Sequence, residues 1–111
     1  MESMRDWGHA KDYVKAMHLM LNQDEAEDWV VSTMKTYSVR NLCEYVFNKL
    51  EMNYKDYVTQ DKRYMRPEEL EYLKGDSSKI REKLNWKPEY TFEKMLDEMI
   101  DYWMDFYKNI K

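Results

Sequence analysis

Apolar residues Tyr13, Val14, Met17, Met20 and Leu21 recur at the spacing of one helix face, which predicts an amphipathic helix from Ala10 to Leu21. Asn22 to Asp28 is polar and acidic and reads as a loop. The β-prone run Trp29-Val30-Val31-Ser32-Thr33, bounded by polar residues, predicts one buried strand. Ser38 then offers an N-cap oxygen to a second helix with the stripe Val39, Leu42, Cys43, Val46, Phe47 and Leu50. Met52 to Met65 is irregular, with a short strand expected around Tyr57-Val58. Arg66-Pro67-Glu68-Glu69 is a turn or a single helical turn, with Pro at a permitted first position. Gly75-Asp76 breaks the chain, and Asp76 can cap a short helix carrying Ile80 and Leu84. Pro88 ends that connection, and Thr91 caps a last helix whose apolar face runs from Phe92 and Met95 to Trp103, Phe106 and Ile110.

The pattern predicts a mainly helical α+β chain of four to five helices with one or two short strands. A strand without a ladder partner leaves its N–H and C=O groups unmet. One good strand among four helices therefore reads as part of a larger sheet protein.

Composition narrows the classes. The 111 residues suffice for one domain, and with 43% apolar or aromatic residues, two Gly and two Pro the chain is expected to fold. Positive and negative charges are interspersed to a net −4, which disfavours nucleic acid as a partner, since backbone binding needs a concentrated basic field. No apolar run approaches the length of a membrane span, and Met1 to Asp6 lacks the character of a signal peptide, so a soluble cytoplasmic protein is expected. Cys43 is the only cysteine, which leaves no intrachain disulfide and no cysteine-based zinc site. The two histidines make no metal site at a recognised spacing. His9 is expected to make a structural hydrogen bond and His18 to lie exposed. Trp86 and Trp103 are expected to pack, the methionines to fill gaps, and Asp24 to Asp28 to be a solvated loop.

The segment Arg5-Asp6-Trp7-Gly8-His9-Ala10-Lys11-Asp12-Tyr13-Val14 resembles the Arg-Asp-Trp-Gly-His-Ala-x-Asp-Tyr-Val signature of GDP-mannose 4,6-dehydratases, which are extended short-chain dehydrogenase/reductase enzymes. Tyr37-Ser38-Val39-Arg40, Arg63-Tyr64-Met65-Arg66-Pro67-Glu68-Glu69-Leu70, Gly75-Asp76-Ser77-Ser78-Lys79 and Lys83-Leu84-Asn85-Trp86-Lys87-Pro88 resemble further blocks of that family in its order. Thr91-Phe92-Glu93 continues the likeness into the last helix. Where the family has Ala-Thr-Gly after its strand, this chain has Ser32-Thr33-Met34. A side chain thus stands where close approach or a positive φ would favour glycine.

The resemblance implies the C-terminal, substrate-side part of such an enzyme without its Rossmann core. Residues 1–35 would be the edge of the nucleotide-binding sheet and 36–111 a cap-like region. The family converts GDP-mannose to a 4-keto-6-deoxy sugar nucleotide with loss of water, using NADP. It implies that Arg5 and Arg66 hold the nucleotide diphosphate, which suits guanidinium forks, and that Glu69 lies near the ribose. The alternatives are ion pairs of Arg5 with Asp6 or Asp12 and of Arg66 with Glu69 or Asp76.

The family's glycine-rich pyrophosphate turn is absent from these residues, and its catalytic Thr/Ser, Glu and Tyr-x-x-x-Lys lie upstream of the matching region. The spacings Tyr45…Lys49 and Tyr107…Lys111 read as chance in a chain rich in both residues. The expectation is thus no catalytic residue, cofactor site or metal site in this chain. GDP-mannose is the parent substrate, and a separately encoded N-terminal half or a second copy is a candidate partner. The rival reading is a non-enzymatic module for interaction or self-association.

Overall fold

The computed structural model describes residues 1–64 and 71–109. In chain order the elements are β1 (Met4–Arg5), α1 (Ala10–Leu21), β2 (Tyr37–Ser38), α2 (Val39–Lys49), short 3-10 turns at Tyr54–Asp56 and Lys62–Tyr64, α3 (Ser78–Leu84) and α4 (Phe92–Lys108). Four helices and a two-stranded sheet agree with the expected mainly helical α+β class. Arg66-Pro67-Glu68-Glu69 lies outside the described residues.

The strand is not where its β-propensity pointed. Trp29 to Thr33 forms no strand, because among the described residues no strand lies beside it. Side chains meet its backbone groups instead. Ser77 Oγ donates to Ser32 O (3.0 Å), Arg81 Nη2 to Thr33 O (2.9 Å), and Asp6 Oδ1 accepts from Thr33 N (2.9 Å). The ladder forms between β1 and β2, antiparallel, with Met4 opposite Ser38 and Arg5 opposite Tyr37. On its other side Met4 bridges Tyr72 in parallel, through Met4 N to Glu71 O (2.7 Å) and Leu73 N to Met4 O (2.9 Å). The expected strand at Tyr57-Val58 is likewise a turn. Asn53 Oδ1 caps it from Lys55 N, and Val58 N donates to Tyr54 O (2.8 Å).

The starts of α2 and α4 follow the expected caps. Ser38 Oγ accepts from Asn41 N, and Asn41 Oδ1 accepts from Ser38 N in return, a reciprocal box that opens α2. Thr91 Oγ1 accepts from Lys94 N to open α4. α3 departs from this: its N-cap is Ser77, which makes no side-chain cap bond, and Asp76, expected to cap, instead accepts from Ser78 N (3.0 Å) in a turn one residue upstream. α1 is capped by His9, whose Nδ1 accepts from Lys11 N (3.0 Å).

Two small clusters form the core. Ala16, Ile80 and Trp86 are buried in the first, with Leu19, Met20, Trp29, Val31 and Leu84 packed around them. Phe92, Met95 and Leu96 are buried in the second, with Trp7, Tyr37, Leu42, Tyr45 and Val46 around them. The core-facing edge of α1 is thus Asp12, Ala16, Leu19 and Met20. Val14, Met17 and Leu21, part of the apolar face predicted for this helix, stay exposed. The radius of gyration is 17.2 Å, with extents of 52 × 40 × 20 Å. A compact domain of this length would have a radius near ~13 Å, so the molecule is a thin slab.

Candidate functional site

The segment Arg5 to Val14 runs from β1 into α1, and the structure gives most of its residues a structural task. Asp6 gathers three stretches of chain. Its carboxylate accepts from Thr33 N (2.9 Å), Thr33 Oγ1 (2.5 Å), Met34 N (3.0 Å) and Gly75 N (3.3 Å). Trp7 Nε1 donates to Tyr37 O (2.8 Å) and its ring tilts against Phe92 at 6.4 Å. His9 caps α1 through Nδ1, so Nε2 carries the proton of the neutral ring, and Nε2 lies 3.2 Å from Glu98 Oε1. The His9 ring stacks on Tyr90 at 4.0 Å. This is the structural role expected for it.

Asp12 is 2% exposed and receives Glu89 N (3.0 Å) and Tyr90 N (3.1 Å) on its two oxygens, while its carbonyl accepts from Trp86 Nε1 (2.9 Å). Asp6 and Asp12 therefore spend their oxygens on backbone amides, a use of these carboxylates that the sequence reading missed. No sequence signal marked them, because the face predicted for α1 was Tyr13, Val14, Met17, Met20 and Leu21, while the structure turns the Asp12, Ala16, Leu19 and Met20 edge to the core. Trp86 packs as expected, at 4% exposure, whereas Trp103 is 47% exposed on the distal half of α4.

Arg5, the first residue proposed for binding, is half-buried on β1 and donates from Nη1 to Met4 O (2.8 Å). Arg66 and Glu69 lie outside the described residues. The described chain resumes at Glu71, whose carbonyl accepts from Met4 N, so the 71–73 stretch lies beside β1. Asp76, the alternative partner of Arg66 that lies among the described residues, accepts from Ser78 N (3.0 Å) and Ser78 Oγ (2.5 Å).

Neither glycine cradles a phosphate. A Cβ on Gly8 would strike the Tyr13 phenol, and one on Gly75 would strike Ser32. Both therefore serve close chain packing, and neither has a positive φ. Among the described residues neither glycine therefore fits a dinucleotide pyrophosphate, which needs free backbone N–H groups at a glycine turn.

The Tyr45…Lys49 spacing is not a reactive pair either. Tyr45 Oη donates to Asp97 Oδ1 (2.6 Å) and Lys49 Nζ meets the same oxygen (2.6 Å). The Asp97 hydrogen bond, with burial second, pushes the Tyr45 phenol up to about 12, the opposite of activation. Lys111 of the second spacing lies outside the described residues.

Val14 is 56%, Met17 54% and Leu21 84% exposed, a continuous apolar strip on α1. Among the described residues no helix is long and apolar enough to cross a membrane.

Comparison with known proteins gives this geometry its setting. The family model for GDP-mannose 4,6 dehydratase matches residues 1–99. The chain is 46% identical over 101 residues to GDP-mannose 4,6 dehydratase 1 of Arabidopsis thaliana, covering 91% of this chain and 28% of that protein. It is 42% identical over 117 residues to the Homo sapiens GDP-mannose 4,6 dehydratase, covering 90% of this chain and 32% of that one. The chain thus spans about a third of these relatives' length. Among solved structures, its fold resembles part of RMD from Pseudomonas aeruginosa complexed with NADPH, with TM-score 0.80 and 23% identity over 94% of this chain and 34% of that one. It also resembles part of dTDP-glucose 4,6-dehydratase from Bacillus anthracis, in complex with NAD, with TM-score 0.77 and 23% identity over 97% of this chain and 32% of that one.

Proposed function

Because the chain belongs to the GDP-mannose 4,6-dehydratase family, we infer that its 111 residues form the substrate-side portion of such an enzyme and need a nucleotide-binding portion for turnover. In this reading Arg5 and Arg66 clamp the diphosphate of GDP-mannose and Glu69 accepts from its ribose. Residues 1–35 border the nucleotide-binding sheet, and 36–111 form the wall of the sugar-nucleotide pocket. NADP is held, and water is lost from the sugar, on the complementary portion.

The observation that carries this is the linkage of β1 to the 71–73 segment through Met4. It lays residues 71–73 beside the strand that carries Arg5. Two guanidinium forks suit a diphosphate, whose oxygens take paired charge-assisted bonds. The two glycines filled by neighbouring side chains support placing the cofactor elsewhere.

Co-expression with the nucleotide-binding portion of the Arabidopsis relative tests the reading. A soluble complex that converts GDP-mannose is expected, while this chain alone shows no NADP binding by calorimetry. An Arg5→Ala complex should bind GDP about ten- to a hundredfold more weakly, the value of one or two bonds to a charged group. Micromolar NADP affinity of the chain alone, or unchanged GDP affinity in Arg5→Ala, would overturn it.

A second reading, a non-catalytic interaction module, draws on the slab shape and the exposed strip on α1. Failure of the chain to associate with any such nucleotide-binding portion would favour it.

A further inference from the structure

α1 opens on a cap that a proton can remove. His9 is its N-cap residue, and His9 Nδ1 accepts from Lys11 N at 3.0 Å. Asn53 makes the same kind of bond elsewhere in the chain, its Oδ1 accepting from Lys55 N at 3.0 Å. Ser38 and Thr91 cap α2 and α4 through hydroxyl oxygens. Those oxygens accept whatever the pH, whereas an imidazole nitrogen accepts only while it carries no proton.

The other ring nitrogen is drawn the opposite way. His9 Nε2 lies 3.2 Å from Glu98 Oε1 on α4, a carboxylate that favours a charged ring. The hydrogen bond from His9, set against desolvation, holds the Glu98 carboxyl below its usual range, so Glu98 stays ionised where histidines change charge. The His9 side chain is only 13% exposed and stacks on Tyr90 at 4.0 Å, which fixes the ring between the two helices. The remaining charged neighbours are otherwise engaged. Lys11 and Lys94 sit over the Tyr90 ring at 6.0 and 4.9 Å, Asp12 receives Glu89 N and Tyr90 N, and Glu89 pairs with Lys15 at 2.7 Å.

We propose that His9 is an acid-sensitive latch, which caps α1 when neutral and, when protonated, releases the first turn of α1 while keeping its hold on α4. Protonation turns Nδ1–H toward Lys11 N–H, donor against donor. It also sets a positive charge at the positive end of the α1 dipole. The Glu98 contact becomes an ion pair, but Glu98 is 46% exposed and a solvent-facing pair offsets little of the lost cap. The bonds from Asp12 N and Tyr13 N to His9 O need no ring nitrogen, so the release is confined to the helix start. The proposal does not depend on the substrate-side reading.

Residue-resolved amide exchange of the 111-residue chain tests it, with the ring resonances of both histidines followed from about pH 8 to 5. Lys55 N, held by Asn53, is the internal reference for Lys11 N. Protection of Lys11 relative to Lys55 should fall about two- to thirtyfold as His9 titrates, the value of a lost cap. His9→Asn keeps an acceptor without a titrating nitrogen, and should hold that ratio constant over the whole range. The wild-type titration needs no variant, so it decides the matter even if His9→Asn misfolds. His18, beside Asn22 at the far end of α1, serves as control, and His18→Gln should leave the Lys11 response in place. A Lys11 ratio that changes by less than about twofold while His9 titrates would overturn the proposal. So would a response that follows His18, one that survives in His9→Asn, or a His9 ring that stays neutral down to about pH 5.

Discussion

The cluster around Ile80 and the cluster around Phe92 have three buried apolar residues each, yet they are closed by different forces. The Ile80 cluster is bounded by irregular chain at 29–34 and 85–90, and polar side chains staple it. Asp6, Asp12, Ser77, Arg81 and Trp86 all bond to backbone there. The Phe92 cluster is bounded by helices and rings. Phe92 stacks on Tyr37 at 4.0 Å, with Trp7 and Tyr45 tilted against it at 6.4 and 6.3 Å. Helices satisfy their own backbone groups, whereas irregular chain must find partners for each N–H and C=O it buries. The staples are therefore a consequence of the missing ladder at Trp29 to Thr33.

This contrast predicts which substitution hurts each side. Phe92→Ala should be the most damaging, at about 3–4 kcal/mol in denaturant unfolding, because it empties the ring stack. A loss below about 1 kcal/mol would mean that the Phe92 side is not closed by its rings. Asp12→Ala should cost about 2–3 kcal/mol by leaving two amides without an acceptor. Asp12→Asn, which keeps one acceptor oxygen, should recover part of that loss. If apolar Asp12→Leu proves as stable as wild type, the Ile80 side is held by packing and the staple account fails.

Much of this was legible beforehand, and the failures share a cause. Caps read from Ser38 and Thr91 appear because each is a local contact between a side chain and an amide three residues on, whereas Asp76 turns onto Ser78 N one residue before the true start of α3. The helix stripes are legible for the same reason. Trp29 to Thr33 was misplaced because a strand needs a neighbour, and propensity says nothing about whether one exists. Asp6 and Asp12 looked like ion-pair partners for Arg5, since sequence shows charges but not the amides 27 to 78 residues away that claim them. Of the proposed ligands, Arg5 alone falls in the described structure, and its placement on β1 was not written in its local sequence.

Met34 bears on the stapled side with a smaller effect. It adopts φ 65°, the left-handed region, at the position where the family's glycine was expected to stand. Its N–H donates to Asp6 Oδ2, so the conformation is held by the staple. An L-residue other than Gly or Asn loses about 1 kcal/mol there. Met34→Gly should therefore stabilise the chain by at most about 0.5 kcal/mol, the relief of strain less the roughly 0.5–1 kcal/mol entropy of glycine. Thermal unfolding reads this directly, and destabilisation would mean that the Met34 side chain packs in a way that outweighs its backbone.

The smallest expected effect lies on the ring-closed side and depends on pH. Tyr45 and Lys49 of α2 both meet Asp97 of α4, the polar tie between these helices. The Lys49 hydrogen bond first, and the Tyr45 bond next, hold the Asp97 carboxyl below its usual range. A lowered carboxyl stabilises the fold above its unfolded pKa and loses that contribution as pH falls through the folded value. The Tyr45 phenol, raised to about 12, works in the opposite sense. Its contribution is complete below the ordinary tyrosine value and disappears as pH rises from there to about 12. The tie should therefore weaken at both ends of the scale. Tyr45→Phe should flatten the alkaline limb of stability between about pH 10 and 12 relative to wild type, with a smaller change in the acid limb. Because the groups are largely solvent-facing, screening keeps the effect small, and added salt should shrink it further. Amide exchange in α2 and α4, followed against pH in both proteins, isolates this tie from the rest of the fold. Identical alkaline limbs would show that the two helices are joined by their rings alone.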